Sequence, residues 1–484
     1  MTTGVDLTFR PFVDGDWRET DGPVNVVIDP ATEQTVATGR DGTAADVHAA
    51  ITAARRAFDE GPWGRINGAK RKQHLRRFAD ALEARRAHIA DLVVAETGAI
   101  PALAERLHVG VALEHFAWAV AQSDREWARP LPAYGKGAGV VLREPCGVVG
   151  AISAYNFPFF LNMAKLGGAL ATGNTVVLKP SPLTPLEAFV IAEAAAEADL
   201  PPGVLNVVSG DIEVGRALTT DRRVDVITFT GSERVGGLVS AQAAPNITRV
   251  LLELGGKSAL IVRADADLTA AVEYTVRQIV TQAGQGCALS TRQLVHRDIH
   301  DEFVAAVVAA LSRVVTGPPR EPGVGMGPLI RQTHRERVER MVDAARAEGA
   351  TVAIGGRRTA GRDKGFFYDP TLLTGLDNSA AIAREEVFGP VGVVIPFADD
   401  DEAVRIANDS DYGLGGHVYS ADVDAAYRLC TRIRSGYLAV NGGVGGMHPA
   451  APFGGYKRSG LGREYGEEGL EAFLETKSIT FPKD

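Results

Sequence analysis

Long hydrophobic runs, paired cysteines and an excess of positive charge are all missing from this sequence. Three cysteines among 484 residues are too few for a disulfide framework, and they lack the paired spacing of a zinc site. No apolar run reaches the roughly 18 residues that cross a bilayer, and no basic stretch followed by an apolar one stands at the N-terminus. We therefore expect reduced thiols, no membrane partner and a cytoplasmic location.

The charge balance is slightly acidic. Lys and Arg number 51 against 60 Asp and Glu, which gives a net charge of −9. Such a surface has no electrostatic footprint for nucleic acid, so nucleic acid is excluded as an expected partner. The ten histidines lack ligand spacing, and the sequence predicts no metal centre.

The order of strand and helix patterns predicts an α/β fold. A chain of this length can bury more than one core. From residue 147 onward, buried strands alternate with helices that begin near residues 185, 212 and 233, as in a doubly wound parallel sheet. The predicted strands of this first sheet are 147–153, 174–179, 204–208 and 226–229. A second βα unit is expected from residue 253, with strands at 391–395 and 437–441.

One cysteine lies in a glycine-bearing turn between a helical pattern and a strand pattern. Residues 283–292 read Ala-Gly-Gln-Gly-Cys-Ala-Leu-Ser-Thr-Arg, which places Cys287 at the end of an element. Gly284 and Gly286 permit close approach of a ligand, and a free backbone N–H at such a turn can stabilise an oxyanion. Cys287 is a candidate nucleophile, although a lone cysteine is also consistent with a small buried hydrophobic residue.

A single carboxylate interrupts the apolar run at 249–262. Desolvation of Glu253 would raise its pKa toward the range in which a carboxylate acts as a general base near neutral pH. The alternative is a glutamate that forms an ion pair at the end of a strand.

With these two residues and four further motifs, the sequence resembles the aldehyde dehydrogenase superfamily over nearly its whole length. The motifs occur in the order expected for the superfamily, and the combination is far more specific than any one of them. They are Asn-Phe-Pro at 156–158, Phe-Thr-Gly-Ser at 229–232, Glu253, Cys287, Glu-Val-Phe-Gly-Pro at 386–390 and Pro-Phe-Gly-Gly-Tyr-Lys at 452–457.

The resemblance implies two doubly wound parallel-sheet domains and a small β-strand extension. Residues 1–125 and 146–252 would form a Rossmann-like NAD(P)-binding domain, and 253–445 the catalytic domain. Residues 126–145 and 446–484 would form oligomerisation and bridging segments of a homodimer or homotetramer. In particular, the extended stretch 137–143 is expected to pair with a C-terminal strand of a neighbouring subunit. The matching C-terminal strand in this sequence is 476–481.

The resemblance also implies the roles of three catalytic residues. Cys287 would attack an aldehyde as a thiolate and form a thiohemiacetal, and Asn156 would donate its amide to the oxyanion. After hydride transfer to NAD(P), Glu253 would activate water to release a carboxylic acid from the thioester. Unaided, Asn156 is equally a residue that shapes the turn before Pro158.

A further set of residues would hold the cofactor. Gly231 and Ser232 would lie near the pyrophosphate, although their turn could be an ordinary strand-to-helix connection. Lys179 would bind the adenosine ribose, or it is a solvated charge. Pro182 stands where many NAD-preferring members have a glutamate, which removes one argument for NAD over NADP. NAD is the expected cofactor, and NADP stays possible. The remaining predicted cofactor contacts are Ser153, Tyr155 in place of the usual tryptophan, Ser181, Glu386 and Phe388.

The aldehyde channel is expected to be lined by Phe157, Phe160, Leu161 and Ala164. Several members of the superfamily have a large aromatic residue at the position of Ala164, so we expect a wide pocket for medium or bulky aldehydes. Two other functions remain open: a coenzyme-A-acylating aldehyde dehydrogenase, and a non-catalytic binding protein on the same fold. Glu253 argues against the acylating enzyme, and the presence of both Cys287 and Glu253 argues against the binding protein.

Overall fold

The computed structural model describes residues 8–444 and 447–482. Its first large sheet has eight strands, of which those from Leu205–Val207 to Arg249–Glu253 run parallel. The order across this sheet is Asp16–Trp17, Phe12–Val13, Leu205–Val207, Thr175–Lys179, Val148–Ile152, Val226–Thr230, Arg249–Glu253 and Gly460–Leu461.

The first sheet is doubly wound, as predicted. From Val148–Ile152 the chain adds strands on one side, and it then crosses to Val226–Thr230 on the other side. The point between these two strands is a topological switch point, where ligands bind beyond the carboxyl ends of such strands.

Helices cover both faces of this sheet, which explains why its strands are continuous apolar runs. Within Val148–Ile152, Val148 and Ile152 belong to one core, and Val149 and Ala151 belong to the core on the opposite face. The helices that precede or follow these strands are Ala44–Asp59, Gly68–Ala84, Arg86–Thr97, Pro158–Thr172, Leu186–Glu197, Ile212–Thr219 and Glu233–Ala243. The first of them begins at a capping box formed by Thr43 and Asp46.

The second large sheet has seven strands, and its strands are parallel except for the first. Their order is Thr351–Ile354, Thr371–Thr374, Val391–Phe397, Ser290–His296, Ser258–Val262, Gly415–Tyr419 and Tyr437–Val440. Its helices are Leu268–Val280, His300–Leu311, Gln332–Ala347, Ala381–Arg384, Asp400–Asn408 and Val423–Cys430. Because the two sheets meet between Glu253 and Ser258, we propose that the domain boundary lies there. The proposed end of the catalytic domain, residue 445, lies outside the described residues.

One helical stretch of the first domain is a composite. It runs as Pro101–Leu103, a π-helical segment at Ala104–Val111, and Ala112–Ala121. A π-helical segment carries extra backbone relative to an α-helix, and such segments are frequent at functional sites.

A three-stranded sheet corrects one expectation about subunit pairing. Gly137–Pro145 pairs with Leu474–Pro482 of the same chain, from Leu474 opposite Pro145 to Pro482 opposite Gly137, and not with a neighbouring subunit. The third strand is Arg129–Tyr134. Gly137–Pro145 is paired on both sides, whereas Leu474–Pro482 is an edge strand, in which Ile479 is 43% and Phe481 50% exposed.

Three short pairs complete the strands. They are Val24–Ile28 with Thr35–Arg40, Val315–Thr316 with Val324–Met326, and Tyr412–Gly413 with Tyr456–Lys457. A short helix, Gly466–Glu471, precedes the last strand. None of the helices within 8–444 and 447–482 is long and apolar enough to cross a membrane.

Candidate active site

The loop that carries Cys287 begins with a strained turn. After helix Leu268–Val280, Gln282 and Ala283 both take positive φ values of 50°. Gly284 follows with φ 70°, and a Cβ there would lie 2.0 Å from the Gly389 carbonyl oxygen, so only glycine fits. The turn brings the half-buried Cys287 to the surface of a cleft before strand Ser290–His296 begins.

The Gly255–Gly256 step lets the Cys287 backbone and the Glu386 carboxylate approach the chain closely. A Cβ on Gly256 would lie 2.4 Å from the Cys287 carbonyl oxygen, and one on Gly255 would lie 2.6 Å from Glu386 Oε2. Burial, followed by the charges of Glu253 and Glu386, raises the pKa of Cys287. The thiol therefore keeps its proton until a base or a positive charge comes close.

Glu253 ends strand Arg249–Glu253 and is 5% exposed. Its Oε2 has no hydrogen-bond partner among the residues that the structure describes, and no ion pair with Glu253 occurs there. Burial, followed by the charge of Glu464, raises its pKa well above the usual range. This is the electrostatic state of a carboxylate that can accept a proton near neutral pH.

Two charged residues beside Glu253 were missed by sequence reasoning. Lys165 Nζ, fully buried in helix Pro158–Thr172, donates to Glu464 Oε1 at 2.9 Å and to Thr228 Oγ1 at 3.2 Å. The signal was available, because a lysine inside an otherwise apolar helix needs a buried partner.

Asn156 joins the end of the first sheet to the cysteine loop. It lies just beyond strand Val148–Ile152, is 3% exposed, and donates from Nδ2 to the Gln285 carbonyl oxygen at 2.9 Å. Its Oδ1 has no partner within the described chain. The amide thus lies two residues from Cys287 along the loop it binds.

The predicted pyrophosphate turn sits at the switch point. Ser232 caps helix Glu233–Ala243 by accepting from the Val235 N–H at 3.4 Å. The Gly231 N–H donates to the Glu253 carbonyl oxygen at 3.0 Å, which ties this turn to the strand that carries Glu253. The helix N-terminus beside Gly231 offers free N–H groups and a positive dipole end for a phosphate.

Three more predicted cofactor residues follow neighbouring strands. Ser153 Oγ donates to Asn162 Oδ1 at 2.6 Å, and Ser181 Oγ accepts from the Leu183 N–H at 3.3 Å. Lys179 is buried, and its Nζ has one long contact of 3.4 Å to the Pro180 carbonyl oxygen. Burial lowers the pKa of Lys179 to about 8, against the raising effect of two acidic side chains, Asp41 and Asp211.

The second sheet contributes Glu386 and Phe388 from the opposite side of the cleft. Glu386 Oε1 accepts from the Gly256 N–H at 3.0 Å, and burial raises its pKa to about 7. Phe388 has φ 57°, and its ring lies 6.1 Å from that of Tyr155 at 81°. Glu386 and Phe388 thus face Tyr155 of the first sheet, as a cofactor lying between the two sheets would require.

The predicted channel residues lie along the start of helix Pro158–Thr172 and just before it. Phe157 and Phe160 are half-buried, whereas Leu161 and Ala164 are buried. Phe157 packs 4.6 Å from His108, in the π-helical segment. Burial lowers the pKa of His108 to about 3, so this side chain is neutral.

Within the described ranges, no group of three or more His, Cys, Asp or Glu side chains is placed to hold a metal ion. The fold and the site together define an α/β protein with a nucleotide-type switch point next to a thiol and a carboxylate whose pKa is raised by burial.

The sequence model of the aldehyde dehydrogenase family matches residues 17–479, and the chain belongs to that family. The geranial dehydrogenase of Castellaniella defragrans is 41% identical over 456 residues, which cover 94% of each chain. The 3-succinoylsemialdehyde-pyridine dehydrogenase of a Pseudomonas species is 40% identical and covers 97% of each chain. Among solved structures, an aldehyde dehydrogenase from Mycobacterium tuberculosis complexed with NAD+ superimposes with a TM-score of 0.95 at 42% identity, over 98% of both chains.

Proposed function

We propose that this protein oxidises an aldehyde to the carboxylic acid with NAD through a thioester on Cys287. The observation that carries the proposal is the buried, unpaired carboxylate of Glu253, whose charge acts on the Cys287 thiol. Membership of the aldehyde dehydrogenase family supports the aldehyde as substrate.

The residues at the switch point fit a dinucleotide. Lys179 is a buried amine with only one long protein contact, and helix Glu233–Ala243 presents its N-terminus beside Gly231. Glu386 Oε1 binds the Gly256 N–H, and its Oε2 can accept hydrogen bonds from ribose hydroxyl groups. NAD, when bound, supplies the hydride acceptor. The NAD+ complex of the M. tuberculosis relative supports this cofactor.

In the first half-reaction, the thiol proton passes to a base and the Cys287 sulfur bonds to the aldehyde carbon. Glu253 is the base that the site offers, because burial raises its pKa and makes it a stronger proton acceptor, as a thiol whose own pKa is raised requires. The oxyanion would accept from the Cys287 backbone N–H and from Asn156 Nδ2, which has a second N–H besides the one that binds Gln285. Loss of hydride from the carbon then leaves a thioester.

In the second half-reaction, water hydrolyses the thioester. Once Glu253 has released the thiol proton to solvent, a water proton passes to its carboxylate and the water oxygen bonds to the acyl carbon. The C–S bond then breaks to leave the Cys287 thiolate, and the carboxylic acid leaves. Burial and, after it, the charge of Glu464 raise the pKa of Glu253, while Lys165, which pairs with Glu464, opposes part of that rise. Release to water rather than to coenzyme A follows from having a base at this place.

We further propose that NAD is preferred over NADP. Asp41 and Asp211 both act electrostatically on Lys179, the residue proposed to bind the adenosine ribose. These carboxylates would repel the 2′-phosphate of NADP. They would thus have the same effect as the glutamate that other family members have at the position of Pro182.

The proposed substrates are medium or bulky aldehydes. Ala164 occupies little volume at the predicted channel, and the two relatives are named for geranial and for a pyridine-bearing semialdehyde. The proposal predicts a higher kcat/KM for geranial or benzaldehyde than for acetaldehyde, and a preference for acetaldehyde would contradict it.

We also propose a homodimer or homotetramer, because Leu474–Pro482 leaves an apolar edge strand exposed. Light scattering of the protein as it elutes from a size-exclusion column measures the mass of the assembly. The mass of a monomer would contradict this proposal.

The test of the function is NADH formation by the purified protein with an aldehyde panel, with and without coenzyme A, beside Cys287→Ala. Turnover without coenzyme A that Cys287→Ala abolishes supports the proposal. Turnover that depends on coenzyme A would favour the acylating reaction, and no turnover with any aldehyde would favour a binding role.

A further inference from the structure

Tyr465 has a backbone conformation that few residues other than glycine adopt. Its φ is 56° and its ψ is 174°, a region that costs a side-chain-bearing residue on the order of 1–3 kcal/mol. Adjacent residues of the same chain hold this conformation. Glu464 forms two backbone hydrogen bonds of 2.7 Å with Phe453, and the Gly469 N–H donates to the Tyr465 carbonyl oxygen at 2.9 Å. Strain held in place this firmly at a cleft points to a function for the side chain.

The ring of Tyr465 is fixed by aromatic neighbours. It meets the ring of His115 edge-on at 4.5 Å and 86°, and Phe160 lies 5.9 Å away. Since Phe160 is one of the predicted channel residues, the tyrosine borders the place of the substrate. The contacts leave the ring little freedom to turn its hydroxyl elsewhere.

The hydroxyl of Tyr465 is buried and lacks a hydrogen-bond partner among residues 8–444 and 447–482. Leaving such a group unpaired costs about 1–3 kcal/mol, so a partner from outside the chain is expected. After burial, the charges that raise the pKa of Tyr465 are those of Glu464, Glu253 and Cys287, in that order. The hydroxyl therefore stays protonated. It needs a hydrogen-bond acceptor, which a molecule bound in the site would supply.

We propose that Tyr465 is a positioning residue whose hydroxyl donates a hydrogen bond to the water that hydrolyses the thioester. This inference rests on the function proposed above. The segment that carries Tyr465 lies beside the base, because Glu464 pairs with Phe453 and a Cβ on the next residue, Gly454, would lie 2.8 Å from Glu253 Oε1. The water proton goes to Glu253, the water oxygen attacks the acyl carbon, Cys287 leaves as thiolate, and Tyr465 keeps its own proton throughout.

The test is a single-turnover experiment on Tyr465→Phe, which removes only the hydroxyl and keeps the ring. With enzyme and NAD in excess over aldehyde, absorbance follows NADH formation, and acid quenching with intact-protein mass spectrometry follows the acyl-enzyme. We expect unchanged NADH formation and about tenfold slower loss of the acyl-enzyme, the effect of one hydrogen bond worth roughly 1.4 kcal/mol. Both rates come from the same active molecules, so their ratio stays informative even where part of the variant fails to fold.

A matched control removes the same atom elsewhere. Tyr368→Phe changes a buried tyrosine in the core of the second sheet and should alter neither rate. Unchanged acyl-enzyme loss in Tyr465→Phe, or equal slowing of both steps, would overturn the inference. Absence of any acyl-enzyme in the unchanged protein would instead refute the proposed function itself.

Discussion

Replacing Glu386 by Gln should make the folded protein more stable in alkaline solution while weakening its use of NAD. Burial raises the pKa of Glu386 to about 7, so the folded state binds more protons than the unfolded state between its ordinary pKa of 4.5 and 7. Stability contributed by this group is therefore full below pH 4.5 and is lost as the pH rises through 7. Glutamine cannot ionise, and its oxygen can still accept from the Gly256 N–H.

The size of the effect follows from the shift. A change of 2.5 pKa units corresponds to about 3 kcal/mol, of which about 2.5 kcal/mol develops between pH 5 and pH 8; partial exposure reduces this to roughly 1–2 kcal/mol. Relative to the unchanged protein, Glu386→Gln should melt roughly 1–2 °C higher at pH 8 and nearly the same at pH 5.

The assay is a pair of thermal melts at the two pH values, combined with the KM for NAD. We expect the KM to rise about tenfold, because a neutral amide replaces a charged acceptor for the ribose. Equal melting differences at pH 5 and pH 8 would refute the electrostatic reasoning. An unchanged KM would refute the role of Glu386 in holding the cofactor.

Four further substitutions test separate parts of the account. Asn156→Ala should lower kcat about 100-fold or more by removing an oxyanion donor, with little change in the KM for NAD. Lys179→Met should raise the KM for NAD below pH 8, where the lysine of the unchanged protein is charged. In the unchanged protein the KM for NAD should change as the pH rises through 8, and in the variant it should not. Asp211→Ser should lower the ratio of kcat/KM with NAD to kcat/KM with NADP. Asp46→Ala, which breaks the capping box, should lower the unfolding free energy by about 1–2 kcal/mol in denaturant titrations without altering kcat.

The alternation of strands and helices could be predicted because each buried strand is a short apolar run between turn residues. Helix Leu268–Val280 and strand Ser290–His296, which flank the cysteine loop, were both expected within a few residues. The π-helical segment at Ala104–Val111 could not be predicted, because its apolar residues also satisfy an α-helical spacing over two turns.

The site was predictable where a residue type was unusual in its setting. Glu253 in an apolar strand and Cys287 in a glycine-bearing turn both gave a signal of this kind. Tyr465 gave none, because its importance lies in a positive φ and an unpaired hydroxyl, which only three-dimensional contacts reveal. The intrachain pairing of Leu474–Pro482 was missed for a related reason: a strand pattern predicts an edge but does not say which chain supplies the neighbour.

The most direct test of the central claim is the mass of the covalent intermediate in Glu253→Gln. This variant, mixed with NAD and an aldehyde for long enough to offset slower loss of the thiol proton and quenched in acid, should form NADH at most once per active site and gain the mass of the acyl group. Peptide mapping should place that mass on Cys287, because hydrolysis stalls without the base. NADH formation with no added mass, or an acyl group on another residue, would contradict a thioester on Cys287.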